Sequence, residues 1–299
     1  MDILRISNLQ KKFGDKDVLK DLNLSVPENS IFGFIGQNGA GKTTTMKMIL
    51  GLMKPDQGEI LVAGESVCFG QTATNRHIGY LPDVPEYYSF MTPKEYLMFC
   101  GEITGIEKEE LKVRVKELLD RVGLGAERHR IKGFSRGMKQ RLGIAQALLS
   151  HPKLLVCDEP TSALDPVGRK EILDILLAVR EETTVLFSTH ILSDVEKICT
   201  DVAFLNDGVV TIQGKLSDVK ARYRSEKYLI ETELESGIVS LIEAFPDCKR
   251  ISQTQLEFCE KQLPLFEVFQ FISNQKIPVL KIERMEPSLE SLFMEVVAK

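Results

Sequence analysis

The sequence lacks most of what would tie a protein to a membrane, a nucleic acid or a cross-linked scaffold. No stretch reaches about 18 consecutive apolar residues, and the densest helical run, Ile172 to Val179, is roughly half a bilayer span. The chain is therefore not expected to cross a bilayer by itself. Its first residues, Met1-Asp2-Ile3-Leu4-Arg5, lack the charged and apolar regions of a signal peptide, so a cytosolic location is expected. Basic charge is not in excess: 38 Lys and Arg stand against 43 Asp and Glu, a formal net charge of -5. Such a chain is a poor binder of phosphate backbones unless its cations cluster, and no nucleic-acid partner is expected. The six cysteines (Cys68, Cys100, Cys157, Cys199, Cys248, Cys259) are scattered, without a C-x-x-C pair or a nearby histidine. Neither a zinc site nor a disulfide framework is expected from them, and they read as buried or idle thiols.

With 43% hydrophobic and 27% charged residues the composition is that of a globular protein. At about 150 residues per domain, 299 residues suggest two domains. The segments Ile3–Ile6 and Leu22–Val26 alternate in part, as half-exposed antiparallel strands do, and Ile31-Phe32-Gly33-Phe34-Ile35 is apolar throughout, as a strand covered on both faces is. From there strands and helices alternate: strand 153–158, helix 167–181, strand 184–188, helix 191–198 and strand 201–206. This predicts an α/β fold with a mostly parallel sheet and an antiparallel N-terminal addition. Residues 92–150 read as helical, with Leu111, Val115, Leu118 and Leu119 on one face of a helix from Glu107 to Val122; the helical subdomain is placed at about 84–150. Beyond residue 224 the order becomes β-α-β-β-α-β with a terminal helix at Ser288–Val297, a ferredoxin-like arrangement. The expected domains are 1–220 and 225–299.

The segment Gly36-Gln37-Asn38-Gly39-Ala40-Gly41-Lys42-Thr43 fits G-x-x-x-x-G-K-[ST], follows a buried strand and opens a helix; Thr44 continues it. Glycines permit tight turns and close approach of anions, so that amide N–H groups converge on phosphate at a positive helix end. Lys42 would reach the terminal phosphates and the Thr43 hydroxyl would hold Mg2+. An accidental match of this kind arises in roughly one chain per hundred of this length. The run Leu154-Leu155-Val156-Cys157-Asp158 ends a second buried strand in a carboxylate placed to hold the water shell of Mg2+. Glu159 then stands where a general base or water-positioning acid belongs; a solvated turn is the bland alternative.

Further segments carry a family resemblance. Phe134-Ser135-Arg136-Gly137-Met138-Lys139-Gln140-Arg141 resembles the signature sequence of ABC transporter ATPases and lies, as there, between the phosphate loop and the Asp-Glu strand. Ser162-Ala163-Leu164-Asp165 is similar to the family's D-loop, His190 to its switch histidine, and Phe13 to its adenine-stacking aromatic. The resemblance covers about residues 1–215. It implies a P-loop ABC cassette that binds ATP with Mg2+ and hydrolyses it, with Glu159 and His190 at the γ-phosphate. It also implies a second ATPase subunit, a copy or a paralogue, so that Ser135, Gly137 and Asp165 act in trans on the partner's ATP. Separate transmembrane permease subunits are implied too, with this chain peripheral on the cytoplasmic face of the membrane. Taken singly, His190 could equally cap a helix and Phe13 could equally be packing.

Two departures stand out. Asp83 takes the place of a glutamine usual in the family; a carboxylate can ligate Mg2+ or orient water, but it adds negative charge near phosphate. Arg136 replaces the first glycine of the signature and Met138 its glutamine; the arginine has phosphate, a neighbouring acid or solvent to reach. The Ser-Arg-Gly-Met-Lys-Gln-Arg variant and the ending Met285–Phe293 resemble the ATPases of ABC-2 type exporters. Tyr87-Tyr88-Ser89-Phe90-Met91 lies where that family receives a helix of its membrane subunit, and reads either as a docking surface or as core. A soluble ABC ATPase acting on ribosomes or nucleic acid is the alternative. It would usually need two cassettes in one chain, a long coiled-coil insertion or a strongly basic surface. This sequence instead has one phosphate loop, a helical insertion of ordinary length and an acidic balance.

Overall fold

Two long strands open the chain, β1 (Asp2–Phe13) and β2 (Lys16–Pro27), paired antiparallel with Phe13 opposite Lys16. Both are longer than the expected 3–6 and 22–26, because their polar ends are held by the hairpin ladder rather than by burial. The chain continues as β3 (Ile31–Gly36), α1 (Lys42–Ile49), β4 (Gln57–Val62), β5 (Glu65–Ser66), β6 (Ile78–Leu81), α2 (Pro93–Ile103), α3 (Lys108–Arg121) and α4 (Arg136–Ala147). Then come β7 (Leu154–Asp158), α5 (Pro166–Val179), β8 (Thr184–Thr189), α6 (Leu192–Ile198), β9 (Asp201–Asn206), β10 (Val209–Lys215) and α7 (Leu216–Arg222). The computed structural model describes residues 1–71, 73–222, 226–285 and 289–292.

Residues Leu4, Ile6, Leu9, Leu22, Leu24 and Val26 are buried while Arg5, Lys20 and Asp21 are exposed. Strands with one dry face form their own antiparallel sheet, in the order β2-β1-β4-β5, instead of extending the parallel one. The second sheet runs β10-β9-β3-β8-β7-β6, parallel from β9 to β6 with β10 antiparallel at the edge. All residues of β3, β7 and β8 are buried, as strands covered on both faces require. Phe32 and Phe34 point into a core with Met46, Met48 and Ile49 of α1 and with Leu4 and Leu24 of the antiparallel sheet. Gly33, on the opposite face, lies under Val195 of α6. The first unit is thus an α/β cassette with a mixed sheet.

The helices of the insertion lie between the parallel neighbours β6 and β7. Local sequence fixes their starts. Thr92 and Glu95 form a reciprocal cap around Pro93 at α2, the Glu107 carboxylate accepts the Glu109 and Glu110 N–H groups at α3, and Ser135 accepts the Met138 N–H at α4. The expected face of α3, Leu111, Val115, Leu118 and Leu119, is buried. Helix α4 presses against β6: a Cβ on Gly79 would lie 2.2 Å from the Ala147 carbonyl oxygen, and one on Gly143 would lie 2.5 Å from Leu81.

The chain divides into two compact units after Val219, within α7. The second contains β11 (Lys227–Thr232), α8 (Glu235–Ala244), β12 (Lys249–Arg250), β13 (Gln255–Cys259), α9 (Leu265–Gln275) and β14 (Val279–Arg284). Its sheet has the order β12-β13-β11-β14 with every neighbour antiparallel, the ferredoxin-like topology. Ile230, Ile238, Leu241, Leu256, Phe258 and Val268 form its core. Of the expected terminal helix at 288–297, residues 289–292 are helical and the rest lie outside the described residues.

Burial pushes the thiols of Cys157 and Cys199 upward, so neither supplies thiolate near neutral pH. Because the α4–β6 contact has no room for a methyl group, Gly79→Ala is expected to destabilise the protein by about 1–3 kcal/mol, measured by urea or thermal unfolding.

Candidate functional site

The loop after β3 ends at α1, and its last residue, Gly41, has φ +108°. A Cβ there would also meet Leu19 at 2.7 Å, so glycine is required twice over. Helix α1 starts with no side-chain cap and no acidic residue in its first turn. Its first amides and positive end therefore remain open to an anion. Lys42 is only 6% exposed. Its Nζ donates to the carbonyls of Gly36 (2.7 Å) and Gln37 (3.2 Å) and lies 3.2 Å from Glu159 Oε1.

Strands β7 and β8 are parallel neighbours with Asp158 opposite Ser188. The buried Asp158 accepts the Ser188 hydroxyl at 2.6 Å, and the same hydroxyl oxygen accepts the Glu159 N–H at 3.0 Å. One side chain thus holds both acids. Glu159 needs holding, since its φ of +48° is left-handed for a residue that is not glycine. Such a conformation costs about 1 kcal/mol or more and persists only where neighbours impose it. Its carboxylate sits between Lys42 and His190, whose Nδ1 is 2.9 Å from Glu159 Oε2. Burial, then the nearby Asp158 charge, push the Tyr80 phenol up to about 12, so it stays protonated beside these acids.

These groups share a cleft of about 550 Å³, large enough for a nucleotide-sized ligand. Of the residues named from the sequence, Phe13, Asn38, Gly39, Gly41, Lys42, Thr43, Thr44, Asp83, Glu159, Ser162 and His190 line it, together with Val18. Phe13 stands at the end of β1, 47% exposed, with the Lys11 ammonium 5.4 Å from its ring centre. Gly36, Gln37 and Ala40 belong to the loop without lining the cleft, and Asp158 lies buried at its floor strand. Ser135, Gly137 and Asp165 are not in its lining. Ser135 and Asp165 instead cap α4 and α5, each accepting an N–H three residues on.

Asp83 and Arg136 pair with each other, at 3.0 Å. The Asp83 carbonyl also accepts from Gln140 Nε2 at 2.8 Å, and the Tyr87 hydroxyl donates to the Lys139 carbonyl at 2.6 Å. Tyr87 therefore packs inward, edge-on to Tyr96, whereas Tyr88 and Phe90 are 52% and 63% exposed.

No group of three or more His, Cys, Asp or Glu side chains among the described residues could hold a metal ion unaided. A hydroxyl lining the cleft (Thr43) and a buried carboxylate at the end of its floor strand (Asp158) are donor types that fit Mg2+, which keeps waters and takes its remaining ligands from phosphate.

Residues 19–162 match the ABC transporter family, and residues 214–297 match the C-terminal domain of DrrA1-3-like ATP-binding proteins. The ABC transporter ATP-binding protein YxlF of Bacillus subtilis is 36% identical over 300 residues, covering 99% of each chain. The bacitracin transport ATP-binding protein BcrA of Bacillus licheniformis is 36% identical over 99% of this chain and 97% of its own. Among solved structures, an ATP-binding subunit of an ABC transporter superposes with TM-score 0.66 at 32% identity, covering 74% of this chain and 93% of the other.

Ser188 had no signal in the sequence beyond ending an apolar strand. Its replacement by alanine would leave the buried Asp158 and the Glu159 amide each short of a partner. Ser188→Ala is expected to cost about 1–3 kcal/mol of stability, checked by urea unfolding against wild type.

Proposed function

Since the chain belongs to the family of ABC transporter ATP-binding proteins, which hydrolyse ATP, we propose that it powers an exporter of the ABC-2 type. The observation that carries this reading is the triad of Lys42, Glu159 and His190 meeting beside the open start of α1. Similarity to the bacitracin transport protein over nearly the whole length, second unit included, supports the exporter assignment. In this reading residues 1–220 are the ATPase domain and 225–299 an accessory domain.

The adenine stacks on Phe13, and the amides of 37–44 with Lys42 grip the β- and γ-phosphates. Thr43 and, through water, Asp158 would hold Mg2+, which when bound neutralises charge developing on the phosphates. Glu159 accepts the proton of the attacking water, and His190, bonded to the Glu159 carboxylate, holds that acid and the γ-phosphate in register. Lys42 is displaced from Glu159 by phosphate, which frees the carboxylate for this task.

Ser135 and Gly137 then address the ATP of a second subunit. Within its own chain Gly137 has space for a Cβ, whose nearest neighbour would be Leu164 at 3.9 Å, so packing in cis does not demand glycine there. Asp165, exposed at the start of α5, faces the same partner. Nucleotide binding and dimerisation are linked, because each half-site is completed by the other copy or by a paralogue.

No helix among the described residues is long and apolar enough to cross a membrane, so the reading assigns the spans to separate permease subunits on whose cytoplasmic side this chain sits. Exposed Tyr88 and Phe90 offer those subunits apolar anchors.

Glu159→Gln tests the reading. Steady-state turnover should fall by about 100-fold or more while ATP still binds and the dimer, followed by sedimentation, becomes long-lived. Unchanged turnover would remove Glu159 from the reaction. Lys42→Ala is expected to abolish nucleotide binding itself in a direct titration, and retained affinity would refute the phosphate-loop assignment.

A further inference from the structure

Two charges in this structure are each badly placed when considered alone. Asp83 is a carboxylate lining a cleft whose loop and helix end are built for an anion. Arg136 is the first residue of α4, and a cation at a helix N-terminus opposes the helix dipole; that turn holds no acidic residue to offset it. The two side chains meet at 3.0 Å while 45% and 40% exposed. Exposed pairs of this kind add little to stability, so stability alone does not account for the arrangement. The backbone around it is fixed independently, since the fully buried Gln140 holds the Asp83 carbonyl and Tyr87 holds that of Lys139. The Asp83 carboxylate is thus presented to α4, and among the described residues Arg136 is the ion-pair partner recorded for it.

We infer that Arg136 is a positioning residue that neutralises Asp83 and holds its carboxylate away from the phosphates, so that the start of α4 tunes nucleotide affinity in its own chain. This rests on the reading of the cleft as a nucleotide site. It departs from a direct contact of Arg136 with phosphate: the arginine acts through Asp83, and without Asp83 it has no task in cis.

A double-mutant cycle on the full chain distinguishes these roles. The affinity for a fluorescent ATP analogue is titrated for wild type, Asp83→Asn, Arg136→Ala and the double variant, at low and high salt. Arg136→Ala is expected to weaken binding roughly fivefold at low salt, and less at high salt, where exposed charges are screened. Turnover at saturating ATP should change less than affinity, as for a lost uniform binding effect. In the Asp83→Asn background the same arginine replacement should change affinity by less than about twofold, because the charge it neutralised is gone. Arg136→Lys should stay near wild type, and Arg136→Gln reads the same quantity should the alanine variant not fold. Equal losses in both backgrounds would overturn the inference in favour of direct phosphate contact, and no loss in either would show the pair to be idle. If wild type itself does not bind the analogue, the nucleotide reading fails instead.

Discussion

A cleft that receives a polyphosphate cannot leave its own carboxylates unopposed. Two unit charges 4 Å apart interact by about 4 kcal/mol at an effective dielectric of 20, enough to abolish binding if the sign is wrong. Three acids crowd this cleft or its floor, and each is answered differently. Asp158 is buried and accepts a hydrogen bond from the Ser188 hydroxyl; Glu159 lies between Lys42 and His190; Asp83 is matched by Arg136. Lys42 is the exchangeable member of the set. Its ammonium shares its donors among two loop carbonyls and Glu159, all of which an anion in the cleft can replace.

Topology makes this charge arrangement possible. Strands β3, β8, β7 and β6 are consecutive parallel neighbours, so their carboxyl ends lie along one edge of the sheet. Read across that edge, the phosphate loop is followed by His190, then by Asp158 and Glu159, then by Asp83. Residues 154 positions apart in sequence, such as Ile35 and Thr189, become neighbours because strand order differs from chain order. The parallel register also sets Ser188 opposite Asp158, and that single pairing anchors the left-handed backbone at Glu159. A strained residue at the centre of a polar cluster marks a position where geometry outweighs local preference.

What the sequence made legible is what local patterns encode. The unbroken apolar runs of β3, β7 and β8, the helical face of α3 and the alternating elements of the second unit are found close to where periodicity puts them. Strand β4 and the pair β10 and α7 were not foreseen. Gln57-Gly58-Glu59 is polar and exposed, and becomes strand only by pairing with β1, a contact no local pattern reports. Among site residues, the glycine-rich loop and the Asp-Glu step declare themselves by residue type. Ser188 and the Asp83–Arg136 pair do not, because their meaning lies in a partner 30 or more positions away. Of the three targets open to Arg136 from sequence alone, phosphate, acid and solvent, the acid Asp83 is the one it contacts here, at 3.0 Å.

Helix α4 then joins two ends of the argument. Its body is seated on β6 at Gly79 and Gly143 without room to slide, while its first turns are fastened to the loop after β6 through Arg136, Lys139 and Gln140. Interlocked contacts of this kind resist gradual sliding, since packed interfaces do not deform smoothly. The exposed Tyr88 and Phe90 belong to the same loop as Tyr87, whose hydroxyl is bonded to the Lys139 carbonyl of α4, and as Asp83, which lines the cleft. The Asp83–Arg136 pair thus joins the lining of the cleft to the first residue of α4.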